Sequence, residues 1–219
     1  MRYINIMKCI AFIPIKKNST RVKKKNFKIL GKKKLYQYFL DKIRKCNFDD
    51  VYVDSDSNEI KNYCKKVKIK FIERKKSLSK DTANGNDLLN YHNRLVKADL
   101  YFQLFVTAPL LSVKTINKCI KLLKNSKKHD SILTSHKIYS WFWFNDKPIN
   151  YKPKILPRSQ DAKPIIVETT GLYGIKYKAL KELKCRIGKK PYFFNVDKKE
   201  ALDLDTNDDF KILKKVYKL

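Results

Sequence analysis

Short apolar runs alternate along the chain with stretches whose apolar residues recur at helical spacing. Ile4–Pro14 (INIMKCIAFIP) predicts a first strand, and Leu35, Phe39, Leu40 and Ile43 share one face of a helix within Lys33–Lys45. Asp50–Asp56 reads as a second strand followed by a helix from about Ser57, and Val67–Glu73 as a third strand. A helix over about Gly85–Lys97 leads to a fourth strand, Ala98–Val106, and Pro109 breaks that run. Ser112 is placed to N-cap a helix over Val113–Asn125, and Asp130–His136 reads as a fifth strand.

Both periodicities fade across residues 137–163, which are rich in aromatics and proline. This segment reads as an excursion from the sheet, with Trp141–Phe144 (WFWF) as an exposed hairpin tip and partner surface or as a small satellite core. Thr170–Lys176 and Tyr192–Asp197 then return to strand patterning, and a last helix starts near Asn207. Strands alternating with crossover helices indicate an α/β protein. Without repeats, low-complexity segments or a linker, residues 1–219 read as one domain.

Composition narrows the picture. The chain has 219 residues, 43% of them hydrophobic and 12% aromatic, which indicates a globular protein with an ample core. A formal charge of +30 points to an anionic partner. The basic residues are 44 lysines and only seven arginines, spread over the whole length, whereas readers of nucleic acid favour the bidentate guanidinium. Nucleic-acid binding is therefore not expected as the main role. Five widely spaced cysteines (9, 46, 64, 119 and 185) without a C-x-x-C pair fit free thiols in a reducing compartment. No apolar run is long enough for a membrane span, and Lys8 and Cys9 interrupt the first apolar stretch, so a cytoplasmic protein is expected.

Two constellations could carry chemistry. The loop after the first strand offers Asn18, Ser19 and Thr20 among Lys16, Arg21, Lys23, Lys24 and Lys25, at the place where open α/β sheets bind ligands. It lacks the glycines of a phosphate-binding or dinucleotide fingerprint. As a set of point charges and hydrogen-bonding groups it suits a polyphosphate, and as a bare loop it is a solvated basic segment. In Glu200–Phe210 (EALDLDTNDDF), Leu202 and Leu204 alternate with Asp203 and Asp205, which predicts a short strand with both carboxylates on one face. Two carboxylates about 7 Å apart repel unless a cation joins them, and Mg2+ suits such a pair; the alternative is two solvated turn aspartates. Thr206 and Asp209 have the spacing of a capping box. Asp54 and Asp56 form a rival pair beside a helix start.

In this order, these segments resemble the acylneuraminate cytidylyltransferase (CMP-sialic acid synthetase) family. The loop is similar to its A-R-x-x-S-x-R-x-x-x-K-N pattern at Ser19, Arg21, Lys25 and Asn26, with Lys16 where the family has arginine. R-x-x-x-L-x-x-D-T-A is matched by Arg74, Leu78, Asp81, Thr82 and Ala83, and T-S/A-P-L by Thr107–Leu110. R-x-Q-D is matched by Arg158–Asp161, and the closing D-I-D-T-x-x-D by Asp203–Asp209. A family glutamine near the Thr-Ala-Pro turn has no counterpart, and Phe105 and Val106 occupy that region.

The resemblance implies a Rossmann-like three-layer nucleotidyltransferase fold with a mostly parallel mixed sheet, and a small dimerisation excursion at about 137–163 that makes a homodimer. It implies that CTP and an acidic 2-keto-3-deoxy sugar give a CMP-sugar and pyrophosphate, with a nine-carbon, sialic-acid-like acid preferred over the eight-carbon Kdo. It assigns catalysis to Arg21, Lys25 and Lys16, CTP binding to Ser19, Asn26, Arg74, Thr82 and Thr107, and Mg2+ to Asp203 and Asp205. Arg158, Gln160 and Thr170 are the candidates for the sugar. A nucleotide-binding relative without turnover and a basic nucleic-acid-binding protein stand as alternatives.

Overall fold

The structure, a computed structural model, describes residues 7–19 and 24–217. Its strands are β1 (Cys9–Ile15), β2 (Ile29–Leu30), β3 (Lys33–Lys34), β4 (Asp50–Ser55), β5 (Lys70–Glu73), β6 (Leu100–Leu104), β7 (Ser131–Ile138), β8 (Trp143–Phe144), β9 (Lys147–Pro148), β10 (Ile165–Lys176) and β11 (Pro191–Asn195). Its helices are α1 (Leu35–Ile43), α2 (Asn58–Val67), α3 (Gly85–Leu95), α4 (Val113–Asn125), α5 (Tyr177–Leu183) and α6 (Asn207–Val216).

Seven strands form one mixed sheet in the order β11-β7-β10-β6-β1-β4-β5. β1 runs parallel to β4 and β6, β4 to β5, and β7 to β11, while β10 is antiparallel to both β6 and β7. The central strand explains the layering. Cys9, Ala11, Ile13 and Ile15 enter one apolar cluster with the buried faces of α1, α2, α4 and α6. Ile10 and Phe12 point the other way, into a smaller cluster with Leu89 of α3 and Ala179 and Leu180 of α5. A strand covered on both faces must be apolar at every position, which is why the first strand reads as an unbroken run. The expected three-layer α/β arrangement with a mostly parallel mixed sheet is what the chain adopts.

Helix boundaries follow local chemistry. Ser112 Oγ accepts from the Thr115 N–H at 3.1 Å and caps α4 as the spacing predicts. Thr206 and Asp209 close a reciprocal box at the start of α6. The expected third strand shrinks to Lys70–Glu73, because α2 continues to Val67 and Lys68 then turns in the left-handed region at φ 57°. β10 begins at Ile165, ahead of the expected Thr170, since its first half pairs with the end of β7 (Ile165 opposite Ile138). α5 was not expected; at seven residues it is too short to display a period.

The pattern at 202–205 predicts a strand, and the structure corrects this. Leu204 is buried and its N–H donates to the Thr107 carbonyl at 2.8 Å, yet no ladder forms. Within the excursion, β8 and β9 form a hairpin turned by Asn145 and Asp146, both at positive φ (46° and 58°), as a two-residue hairpin loop requires. Trp143 and Phe144 are 57% and 66% exposed, while the Trp141 and Trp143 rings lie 6.0 and 6.2 Å from that of Tyr151.

Candidate active site

From β1 the chain moves to β4 and β5 on one side and later to β6 on the other, so the sheet order reverses at β1. A cavity of about 320 Å³ opens at the carboxyl ends of β1 and β6, where such sheets bind ligands. Lys16, Ser19, Lys25 and Asn26 of the basic loop line it. Asn26 Nδ2 donates to the Lys16 carbonyl at 3.3 Å, and Lys16 Nζ donates to Asp81 Oδ1 at 2.6 Å. Lys25 opens a 3-10 turn over Lys25–Phe27, behind Lys24 in the left-handed region at φ 51°. Arg21, assigned to catalysis, lies outside the described residues.

Arg74 and Thr107 line the same cavity. Arg74 is buried: its Nε donates to Asp54 Oδ1 and its Nη2 to the Asp54 carbonyl at 3.1 Å. Asp54 Oδ2 meets His92 Nε2, and the His92 ring stacks on Phe12 with centroids 4.4 Å apart. Burial pushes the Asp54 carboxyl up, but hydrogen bonding and charge from His92 and Arg74 outweigh it and hold the group below its ordinary range. The rival aspartate pair is thereby divided, since Asp54 serves this buried lock and Asp56 Oδ1 accepts from the Lys17 N–H at 2.7 Å. Thr82 is exposed and does not line the cavity, although its neighbours Asp81 and Ala83 do.

The Asp203–Asp205 pair stands beside the cavity through Lys25. Lys25 Nζ donates to Asp205 Oδ1 at 3.0 Å, and Thr170 Oγ1 donates to Asp203 Oδ2 at 2.5 Å. Asp203 Oδ1 is buried and has no hydrogen-bond partner among the described residues. Asp209 Oδ2 accepts from the N–H groups of Asp205 and Thr206 at 3.0 and 2.7 Å, which fixes the backbone behind Asp205. Against its partial desolvation, the Thr206 hydroxyl, these N–H groups and Lys25 hold the Asp209 carboxyl below its ordinary range.

Among the described residues no three His, Cys, Asp or Glu side chains cluster to hold a metal by themselves. Magnesium asks for less, because one or two carboxylates suffice when water and phosphate complete its shell. A buried carboxylate oxygen without a donor is costly unless a cation meets it. The residues present therefore fit the ion.

Arg158 and Gln160 are exposed on the excursion and do not line the cavity. Arg158 Nε donates to Asp161 Oδ2 at 2.6 Å. Sequence reasoning missed His92, Gly85 and Arg186. His92 and Arg186 belong to none of the matched motifs. For Gly85 a local signal existed: Asn84 accepts from the N–H groups of Asn86 and Asp87, and this cap places Gly85 at the first turn of α3 and on the cavity wall.

Comparison with known proteins supplies a family. A family model described as Cytidylyltransferase matches residues 10–143. The N-acylneuraminate cytidylyltransferase A of Danio rerio is 22% identical over 174 residues, covering 75% of this chain and 40% of that protein. The 3-deoxy-manno-octulosonate cytidylyltransferase of Rickettsia akari (strain Hartford) is 24% identical over 205 residues, covering 87% of this chain and 78% of that protein. The solved structure of a CMP:2-keto-3-deoxy-manno-octonic acid synthetase complexed with CTP superposes with a TM-score of 0.70 at 15% identity, covering 96% and 98% of the two chains.

Proposed function

The chain belongs to the cytidylyltransferase family, and we propose that it joins CTP to an acidic 2-keto-3-deoxy sugar, giving a CMP-sugar and pyrophosphate. The observation that carries this reading is the buried, unpartnered Asp203 Oδ1, close to a Lys25–Asp205 pair whose lysine lines a basic cavity. Among the described residues, Lys16, Lys25, Arg74 and Lys80 outnumber the single carboxylate of the lining, Asp81, and a triphosphate supplies the further negative oxygens that balance this excess. Lys16, Lys25 and Arg21 would neutralise them, while Ser19, Asn26, Arg74, Thr82 and Thr107 would hold the nucleotide. The anomeric hydroxyl bonds to the α-phosphorus, the bond to the β-phosphate breaks, and pyrophosphate leaves as the hydroxyl proton passes to solvent. Aligned cations and donors supply most of the acceleration in such a transfer.

Asp203 and Asp205 would hold Mg2+, which supplies charge neutralisation on the phosphate oxygens when bound. Arg158, Gln160 and Thr170 are assigned to the sugar in the same proposal. Relatives are named for both eight-carbon and N-acylneuraminate substrates; we favour a nine-carbon acid on the Thr107–Ala108–Pro109 turn. Residues 1–219 act as one domain in this reading, and the exposed Trp143 and Phe144 of the excursion form the face of a homodimer. Five unpaired thiols favour the cytoplasm. Among the described residues no helix is long and apolar enough to cross a membrane.

The test is incubation with CTP, magnesium and a panel of sugar acids including N-acetylneuraminate and 3-deoxy-manno-octulosonate, with pyrophosphate release as the readout. Release with one acid is the expected result and names the sugar. A folded protein that releases none overturns the reading.

A further inference from the structure

Arg186, like Lys80 of the cavity lining, is a cation of this region that the proposed function leaves without a task. It lies between α5 and β11, and its N–H donates to Asn86 Oδ1 at 2.9 Å, which ties the segment to the first turn of α3. Its guanidinium carbon stands 3.6 Å from the centre of the Tyr173 ring and 5.7 Å from that of Phe105. Among the described residues its one side-chain hydrogen bond is a long one, 3.4 Å from Nη1 to Gln103 Oε1. No carboxylate among them pairs with it: the nearby Glu168 accepts from the Tyr173 hydroxyl at 2.7 Å instead.

The surrounding side chains hold this fork in place. Gln103 is buried, sits opposite Tyr173 across β6 and β10, and donates its Nε2 to the Gly85 carbonyl at 3.0 Å. Gly85 makes room for the guanidinium, since a Cβ there would stand 2.4 Å from Nη1. Gly85 and Phe105 both line the cavity and Arg186 itself does not, so the guanidinium stands directly behind that part of the wall. A guanidinium stacked on an aromatic ring keeps its edge open for a planar anion, and a carboxylate matches that edge with two parallel hydrogen bonds.

Position separates this cation from the triphosphate loop. The loop follows β1, whereas the Arg186 stack is built on β6 and β10, the next two strands of the sheet. Two strand spacings amount to about 10 Å. Asp203, bonded to Thr170 of β10, and Asp205, bonded to Lys25 of the loop, connect the two regions. We propose that Arg186 binds the carboxylate of the acidic acceptor and makes the enzyme select an acid over an uncharged sugar. This rests on the reading that CTP meets a keto-sugar acid in this cavity.

The test compares the acid that the unaltered protein turns over with its C1 carboxamide, in the unaltered protein and in Arg186→Gln, Arg186→Lys and Gly85→Ala. Loss of a charge-assisted hydrogen bond predicts a rise of roughly 10- to 100-fold in the KM for the acid in Arg186→Gln. The KM for CTP should stay within about twofold, and the preference for acid over carboxamide should collapse by the same factor. Arg186→Lys should recover part of the preference. Gly85→Ala, which displaces Nη1 while leaving the charge in the chain, should raise the acid KM in the same direction. An unchanged acid-to-carboxamide ratio in Arg186→Gln, or an equal rise in the CTP KM, overturns the proposal and leaves the cytidylyltransferase reading intact. Absence of turnover with any acid by the folded, unaltered protein overturns both.

Discussion

Thr170 donates its hydroxyl to Asp203 from a backbone held in the left-handed region, at φ 49°. A β-branched residue there costs about 1–3 kcal/mol, and such strain gathers at functional sites. The residue lies where the register of β10 against β7 shifts, between Glu168 and Tyr173. The irregularity aims one hydroxyl at one carboxylate oxygen, while Asp203 Oδ1 has no hydrogen-bond partner among the described residues. Thr170→Val keeps the strain and removes the donor, so pyrophosphate release should fall by about 10- to 100-fold, with a higher magnesium requirement. Thr170→Ser keeps the hydroxyl and should stay near the unaltered rate. The measurement is pyrophosphate release against magnesium concentration.

The carboxylates themselves should matter more. Asp203→Asn and Asp205→Asn should each lower kcat by at least about 100-fold, because charge opposite the phosphates is lost in the transition state. Stability should change little in Asp205→Asn, since its ion pair with Lys25 is part-exposed. CTP binding measured by calorimetry without magnesium should survive in both. A variant that turns over normally would remove the pair from the mechanism.

Lys16 occupies the place where the resemblance calls for arginine, and its ammonium is paired with Asp81 at 2.6 Å. A lysine supplies charge without a bidentate fork. Lys16→Ala should therefore raise the CTP KM by about tenfold, the worth of one charge-assisted contact. Lys16→Arg should retain or improve it. Steady-state kinetics at fixed acceptor decide the matter, and an unchanged KM in Lys16→Ala would place the lysine outside the nucleotide contacts.

The layered fold was legible because β1 is apolar at every position and the helices keep one apolar face. Caps were legible where a side chain makes the local bond, as at Ser112 and Thr206. The basic loop and Thr107 could be placed at the cavity because ligands bind beyond the carboxyl ends of parallel strands. What stayed hidden depends on long-range approach. Asp54, His92 and Arg74 come from β4, α3 and the turn after β5, and nothing local marks them as partners. Arg186 reaches Gly85 across about a hundred residues of chain. The strand expected at Asp203–Asp205 failed because alternation over so few residues cannot distinguish a ladder from an extended segment held by one backbone bond.

The buried lock predicts an acid limb in stability. The folded-state Asp54 carboxyl lies below its unfolded value of about 3.9, so its contribution is fully present above that pH. It is lost as pH falls through the lower folded value. Asp54→Asn leaves the buried Arg74 without its counter-charge and should cost about 3–5 kcal/mol at pH 7. The penalty should shrink toward acid pH. Urea unfolding of both proteins between pH 7 and pH 3 measures it, and a pH-independent difference would contradict the assignment.

The buried thiols predict an alkaline limb of opposite sign. Burial pushes Cys9 and Cys64 up to about 12 and Cys46 to about 11, and raises Cys119 as well. An unfolded thiol ionises near about 8.5, so above that pH the folded chain binds more protons than the unfolded one. The stability these groups contribute is fully present below about 8.5 and declines as pH rises toward their folded values. The urea midpoint should fall between pH 7.5 and about 9.5, before tyrosine ionisation adds to the slope. Cys64→Ala should flatten that slope by close to one proton while costing stability at pH 7.5 through the cavity it leaves. Chemical accessibility gives an independent check. Of the five free cysteines only Cys185 is not buried, so a thiol reagent should titrate one group in the native protein and five in denaturant. Rapid native reaction of more than one thiol would show that these side chains are not shielded by the core.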